Sequence, residues 1–128
     1  MKRLMALAVA AVAAATVWAS EFPEISVEDL DKAVAARKVT VIDVNGTASW
    51  KRGHIPGAID YASNKGKLAS LLPKDKNALV VAYCGSPKCG AYAAAAKAAR
   101  ELGYTNVKHL KAGISGWKEA GRTIEPAS

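Results

Sequence analysis

Two cysteines lie close together where a strand-like sequence gives way to a helix-like one. Cys84 ends the apolar run NALVVAYC, and Cys89 follows five residues later, just before an alanine-rich segment. Such a pair can form a structural disulfide, bind a metal ion, or combine a nucleophilic thiolate with a second thiol. The elements around the two cysteines bear on which of these applies.

The surrounding sequence predicts alternating strands and helices. VTVIDV, NALVVAYC and NVKHL are short apolar runs typical of buried strands, and GHIPGAIDY is a loop that leads into a very short strand. Helices are predicted in ISVEDLDKAVAARK, which Ser26 opens as a capping residue, in KLASLL, in GAYAAAAKAARELG, which Gly103 ends, and in SGWKEAG. This alternation indicates an α/β fold with a parallel sheet and right-handed crossovers. Ligands of such sheets bind beyond the C-terminal ends of the strands, where Cys84 lies.

The loop after Cys84 favours a reactive thiolate. A tight loop followed at once by a helix leaves several backbone N–H groups without helical partners, and the helix dipole adds positive potential. Both effects are expected to lower the pKa of the Cys84 thiol. Lys88 adds a cation that could stabilise the thiolate and attract an anion. This arrangement indicates nucleophilic sulfur chemistry at Cys84.

The other two arrangements fit the sequence less well. A metal site usually takes four ligands, and the chain offers only the two cysteines, His54 and His109, so no metal is expected. A disulfide between Cys84 and Cys89 would close a very small loop and would stabilise the fold little. We therefore interpret a disulfide as an oxidised state of the pair.

The N-terminus predicts export. Lys2 and Arg3 precede a short, uncharged Ala/Val/Leu run with a small-residue ending, which is typical of a secretory signal peptide cleaved after Ala19. The alternative is a retained membrane anchor. We expect a signal peptide over residues 1–19, one domain over residues 20–128, a periplasmic location and no stable membrane association after cleavage.

The charge of the chain argues against nucleic acid as a partner. The net charge is +7, and loss of the signal peptide would lower it to +5. The remaining basic residues are scattered among acidic and apolar ones, without a dense basic run interleaved with aromatic residues. A positive field could still draw small anions toward the protein.

Four ordered segments of the chain resemble the rhodanese family of sulfurtransferases. They are VIDV followed by GHIPGAI, then VVAYC with its loop and alanine-rich helix, then LGYTNVKHLKAGISGWKEAG. Each segment alone would be a weak sign, but the four occur in order at suitable spacing. The resemblance covers roughly residues 25–125.

The resemblance implies a three-layer α/β/α domain with a five-stranded, mostly parallel sheet. It implies that Cys84 takes sulfane sulfur from a small anionic donor such as thiosulfate, holds it as a persulfide and passes it to cyanide or a thiol. No cofactor is implied. The loop expected to bind the transferred sulfur consists of Gly85, Ser86, Pro87, Lys88, Cys89 and Gly90.

The chain departs from the family pattern at informative positions. Active members often carry Arg directly after the first long strand, where Asn45 stands, and often have Gly in the middle of the loop and Arg near its end, where Pro87 and Cys89 stand. Lys88 is then the only cation inside the loop. Related phosphatases and arsenate reductases resemble a Cys-x5-Arg pattern, and Gly90 occupies the arginine position.

Cys89 leaves three hypotheses open. In the first, the protein is a sulfurtransferase that uses Cys84. In the second, Cys89 is a resolving thiol that attacks a persulfide or sulfenic acid on Cys84, so that the protein is a thiol–disulfide or persulfide relay with a thioredoxin-like reductant as partner. In the third, the chain is a non-catalytic binding module.

Four further residues are predicted to have structural roles. Asp43 is expected to bind loop N–H groups and His54 to stabilise a turn. His109, on a short strand, is expected to be structural or exposed, and Trp117 is expected to anchor the core.

Overall fold

The computed structural model describes residues 22–127 of the chain. The predicted signal peptide, residues 1–19, lies outside them. The helices are α1 (Val27–Ala35), α2 (Thr47–Arg52), α3 (Tyr61–Asn64), α4 (Leu68–Leu71), α5 (Tyr92–Glu101) and α6 (Gly113–Glu119), with a 3₁₀ turn at Lys65–Lys67. The strands are β1 (Thr40–Asp43), β2 (Ile59–Asp60), β3 (Val80–Tyr83) and β4 (Val107–Leu110). No helix within residues 22–127 is long and apolar enough to cross a membrane.

The four strands form one parallel sheet in the order β2-β1-β3-β4. The predicted fifth strand is wrong for the described residues: the segment before α1 forms only a single parallel bridge, Glu24 with His109, beside β4. His109 N–H donates to the Pro23 carbonyl and Ile25 N–H to the His109 carbonyl, each at 2.9 Å. Pro23 has no N–H with which to continue this ladder, so the pairing ends there.

Helices cover both faces of the sheet, which confirms the predicted three-layer fold. Because side chains alternate along a strand, Val80 and Ala82 of β3 face one layer, while Val81 and Tyr83 face the other. The first layer buries Leu68 of α4 and the alanines of α5; the second buries Leu30 of α1, Trp117 of α6 and their neighbours. Burial on both faces explains why β3 is apolar throughout.

The first helix begins where its capping residue predicts. Ser26 is the N-cap of α1, and its hydroxyl accepts a hydrogen bond from the Asp29 N–H at 3.0 Å. This bond satisfies one of the four N–H groups that lack a partner at a helix start. The cap therefore fixes where the chain leaves the edge of the sheet and enters the helical layer.

Candidate active site

Cys84 lies directly after β3, at the C-terminal edge of the sheet. The register pairs Tyr83, the residue before it, with Asp43 at the end of β1 and with Leu110 at the end of β4. Cys84 is therefore flanked on both sides by the ends of neighbouring strands, and only 3% of its surface is exposed. This is the position at which parallel α/β sheets bind ligands.

The sulfur atoms of Cys84 and Cys89 are joined in a disulfide. The intervening loop turns sharply, and the Cys89 N–H donates to the Ser86 carbonyl at 3.0 Å. Cys89 is partly exposed, whereas Cys84 is buried. The two cysteines are thus chemically bonded but unequal in their access to solvent.

The start of α6 holds the backbone of the cysteine loop. The Ile114 N–H donates to the Cys84 carbonyl at 2.9 Å, and the Ser115 N–H donates to the Gly85 carbonyl at 3.0 Å. Gly113, the first residue of α6, has a φ of +68°, and a Cβ at this position would lie 2.6 Å from the Gly85 carbonyl carbon. Only glycine allows α6 to approach the loop this closely. This role of Gly113 is not evident from the sequence alone, although a glycine at the start of a predicted helix is a recognisable sign of a special backbone conformation.

A buried hydrogen-bonded group supports the strand ends beneath the loop. The Tyr83 hydroxyl donates to an Asp43 carboxylate oxygen at 2.5 Å and accepts from the Ile55 N–H at 3.1 Å. The Asn45 N–H donates to the other Asp43 oxygen at 2.7 Å. Asp43 therefore binds a loop N–H, as predicted, while the part played by Tyr83 was not foreseen.

Burial governs the ionisation of this pair. Desolvation raises the pKa of Asp43 above its ordinary value, although the Tyr83 hydroxyl, the Asn45 N–H and the charge of His54 act in the opposite direction. Desolvation, together with the neighbouring carboxylate, also raises the pKa of Tyr83, so its hydroxyl stays protonated and remains a donor.

Tyr83→Phe is expected to lower the free energy of unfolding by about 1–3 kcal/mol, because it leaves the Asp43 carboxylate and the Ile55 N–H without this partner. The folded-state pKa of Asp43 exceeds its unfolded value of 3.8. The contribution of Asp43 to the free energy of unfolding is therefore complete below its unfolded pKa and is lost as pH rises through its folded-state pKa. Tyr83→Phe removes a hydrogen bond that lowers this pKa, so the variant raises the pKa of Asp43 further. The difference in free energy of unfolding between wild type and variant should therefore grow with pH between about pH 4 and pH 7, as measured by urea unfolding.

Tyr104→Phe is the matched control for this experiment. The Tyr104 hydroxyl is also held inside the protein, but it donates to the Pro73 carbonyl rather than to a carboxylate. Its loss should therefore cost a similar energy that does not change with pH. A deficit in Tyr83→Phe that is constant with pH would contradict the role assigned to Asp43.

The other predicted loop residues surround the disulfide. Pro87 and Lys88 are exposed. Within residues 22–127, the backbone N–H groups of Ser86, Lys88 and Gly90 donate no hydrogen bond to a backbone carbonyl. No three side chains of His, Cys, Asp or Glu come together in this part of the chain as a metal site would require.

Asn45 lies beside the cysteine loop, and His54 lies in the turn before β2. The Asn45 side-chain oxygen would be 3.4 Å from a Cβ on Gly85, so position 45 faces the cysteine loop. The His54 ring is buried, stacks on Trp50, and has its Nδ1 2.7 Å from the Trp50 carbonyl oxygen. His54 therefore holds the turn before β2 and lies in a structural position.

Trp117 and His109 complete the set of predicted residues. Trp117 is 1% exposed, and its indole N–H donates to the Thr123 carbonyl at 2.8 Å, which confirms its role as a core anchor. The His109 ring stacks on Tyr92 with a centroid separation of 3.8 Å. These two rings form one wall of a small cavity beside Cys89.

Comparison with known proteins agrees with this geometry. The sequence model of the rhodanese-like domain family matches residues 26–120. An HTH-type transcriptional regulator of Mycobacterium tuberculosis is 36% identical over 93% of this chain, which spans only about half (52%) of that relative. The thiosulfate sulfurtransferase GlpE of Shewanella oneidensis is 32% identical over 79% of this chain and 97% of its own length.

Solved structures show the same fold at low identity. The rhodanese-like domain of the Alr3790 protein from Anabaena superposes with a TM-score of 0.66 at 23% identity, covering 82% of this chain and 80% of that one. A rhodanese-related protein from Thermoplasma volcanium superposes with a TM-score of 0.63 at 24% identity, covering 81% and 98%.

Proposed function

The chain belongs to the rhodanese-like domain family, and we propose that it is a sulfurtransferase in which Cys84 carries sulfane sulfur as a persulfide. The donor is a small anion such as thiosulfate, and the acceptor is cyanide or a thiol. The observation that carries the proposal is the position of Cys84, at the C-terminal end of a central parallel strand and inside a loop that α6 holds in place. The GlpE relative, which is matched over 97% of its own length, is a thiosulfate sulfurtransferase.

The proposed reaction has two displacements at sulfur. The Cys84 thiolate attacks the outer sulfur of thiosulfate, the sulfur–sulfur bond of thiosulfate breaks, and sulfite leaves with the electron pair. The acceptor then attacks the terminal sulfur of the persulfide, and Cys84 leaves as a thiolate. Cyanide is thereby converted to thiocyanate, and a thiol to a persulfide. The two steps restore the enzyme without a cofactor.

Charge and backbone donors around Cys84 support an anionic donor. The N–H groups of Ser86, Lys88 and Gly90 and the start of α5 belong to the segment that directly follows Cys84, and such groups carry partial positive charge. Asn45 faces the loop without a charge, and Lys88 supplies the only cation within it. We therefore expect weak binding of thiosulfate that falls further as ionic strength rises.

Sulfur uptake by the wild-type protein tests the proposal. The full chain is reduced, freed of reductant, treated with thiosulfate and weighed by intact mass spectrometry. We expect a gain of one sulfur atom, removable by cyanide, and the same spectrum reports whether residues 1–19 have been cleaved. Fully reduced protein that gains no sulfur would overturn the proposal.

A second candidate function follows from the disulfide itself. If Cys89 resolves Cys84 in every cycle, the protein is a thiol–disulfide or persulfide relay that needs a thioredoxin-like reductant. Its Cys84–Cys89 couple would then have a reduction potential in the catalytic range of about −270 to −120 mV, rather than below about −300 mV as in structural disulfides. Equilibration with glutathione buffers measures this potential.

Export to the periplasm belongs to the same proposal. Its support is the N-terminal sequence, with Lys2 and Arg3 before an apolar run, and a disulfide that such a compartment permits. In that compartment Cys84 would be oxidised unless a thiol keeps it reduced.

A further inference from the structure

A small cavity opens beside Cys89. Its volume is about 230 Å³, and its lining residues are Phe22, Glu24, Pro87, Cys89, Tyr92, His109 and Lys111. Cys89 contributes to the wall, whereas Cys84 is not among the residues that line the cavity. The cavity therefore reaches Cys89 and not Cys84.

This unequal access decides how the disulfide can be opened. Thiol–disulfide exchange requires a thiolate to reach one sulfur atom, while the other sulfur leaves. Cys84 is 3% exposed and lies among the ends of β1, β3 and β4, so an external thiolate cannot reach its sulfur without displacing the sheet edge. Cys89 is partly exposed and borders the cavity.

We infer that the cavity binds a peptide thiol that reduces the disulfide by attacking Cys89. The incoming thiolate bonds to the Cys89 sulfur, the Cys84–Cys89 bond breaks, and Cys84 leaves as a thiolate. A second thiolate of the same class then attacks the reductant's sulfur in the mixed disulfide. Cys89 leaves as a thiolate, and the two reductant thiols are joined in a disulfide. The inference rests on the proposed function, because it states how the proposed nucleophile is set free.

The chemistry of the walls fits a cysteine within a short peptide. Three aromatic rings line the cavity: Tyr92 and His109 stack face to face, and the Phe22 ring meets Tyr92 edge-on at 6.3 Å between centroids. At the rim, the Lys111 ammonium and the Glu24 carboxylate lie 3.9 Å apart, and both side chains are more than half exposed. Carboxylate and amine groups of a peptide can pair with these two charges.

The size of the cavity limits how much of the thiol enters. It is smaller than the pockets of about 300–1,000 Å³ that enclose whole small-molecule ligands. The cavity therefore takes the reactive cysteine with its adjacent backbone, and the remainder of the ligand stays outside. Glutathione and a cysteine on a protein surface share this chemistry.

Mapping of the mixed disulfide tests the inference. The oxidised full chain is mixed with limiting glutathione, quenched in acid, and alkylated with N-ethylmaleimide. Trypsin cleaves after Lys76, Lys88 and Lys97, which places Cys84 in the peptide 77–88 and Cys89 in the peptide 89–97. We expect glutathione on the second peptide and the alkyl group on the first, in at least about tenfold excess over the reverse pattern.

Two outcomes would overturn the inference: glutathione mainly on the peptide 77–88, or equal amounts on both peptides. Thiosulfate is absent from this experiment, so its result is independent of sulfur transfer. If glutathione attacks Cys84 and the protein still takes up sulfur from thiosulfate, only the inference of attack at Cys89 is overturned. Attack at Cys89 in a protein that takes up no sulfur removes only the proposed function.

A charge reversal at the rim tests the binding site separately from the direction of attack. Lys111→Glu should slow reduction by glutathione by about 3- to 10-fold, because it repels the carboxylates of the peptide. The rate at which uncharged 2-mercaptoethanol reduces the Lys111→Glu variant should equal the wild-type rate. Lys118→Glu, the same charge change on an exposed residue that does not line the cavity, is the control and should have the wild-type rate with both thiols. Equal rates for Lys111→Glu and wild type with glutathione would contradict binding in the cavity.

Discussion

Cys84→Ser is expected to abolish sulfur transfer. A serine hydroxyl is a far weaker nucleophile than a thiolate and cannot hold a sulfur atom as a persulfide, so the rate of thiocyanate formation from thiosulfate and cyanide should fall by about 10⁴-fold or more. The variant should also gain no sulfur in the intact mass spectrum. Both measurements follow the same sulfur atom, because in the proposed reaction the sulfur that reaches cyanide is first bonded to Cys84.

Cys89→Ser is the matched control for that experiment. It replaces the other cysteine of the same loop and also removes the disulfide, so any effect of losing the covalent link is common to both variants. Cys89→Ser should take up sulfur without prior reduction, whereas the oxidised wild type should not. Sulfur transfer that survives in Cys84→Ser and is lost in Cys89→Ser would assign the nucleophile to Cys89.

Gly113→Ala is expected to disturb the cysteine loop without touching either cysteine. The new Cβ would lie 2.6 Å from the Gly85 carbonyl carbon and 2.7 Å from the Gly85 oxygen and the Ser86 nitrogen. Overpacking of this kind costs about 1–3 kcal/mol, and the left-handed backbone at φ +68° costs a non-glycine residue about 1–2 kcal/mol more. The loop must shift, and a displacement of about 1 Å at a reacting group can lower the rate by about 10²-fold.

Gly121→Ala separates the clash from the backbone strain. Gly121 also has a positive φ, +75°, but within residues 22–127 no atom beyond its two chain neighbours lies within 4 Å of its added Cβ. This variant should lose only the about 1–2 kcal/mol of left-handed strain in urea unfolding and should keep wild-type sulfur transfer. Equal activities of the two alanine variants, assayed below their unfolding transitions, would show that α6 does not position the loop.

The sequence was sufficient for most of the architecture, since local pattern carries that information. The β-branched runs before Val44 and Cys84 became β1 and β3, and Ser26 caps α1 through the bond its hydroxyl type predicts. The alternation of strands and helices predicted the parallel α/β sheet, and the resemblance to the rhodanese family implied the three layers. The predicted number of strands is wrong for the described residues, because the bridge at Glu24 ends at Pro23, and ladder continuity depends on a partner strand that no local pattern shows.

The candidate site was only partly visible in the sequence. The placement of Cys84 at a strand end follows from the apolar run that precedes it. Gly113 and Tyr83 were not assigned to the site, because each contacts it from a distant part of the chain or from the strand's opposite side. Gly113 meets Gly85 across 28 positions, and Tyr83 joins Asp43 across 40.

The sequence by itself determined which residue we propose for sulfur chemistry. Cys84 lies between a buried strand and a helix, in a loop of small residues and one lysine. These surroundings are neighbours of Cys84 along the chain, and their effects on a thiolate are local. Only the tertiary structure decided that the two cysteines are unequal in their access to solvent. Burial and access depend on which distant segments pack together: the strand ends enclose Cys84, while the segment before α1 and the residues after β4 leave a cavity beside Cys89.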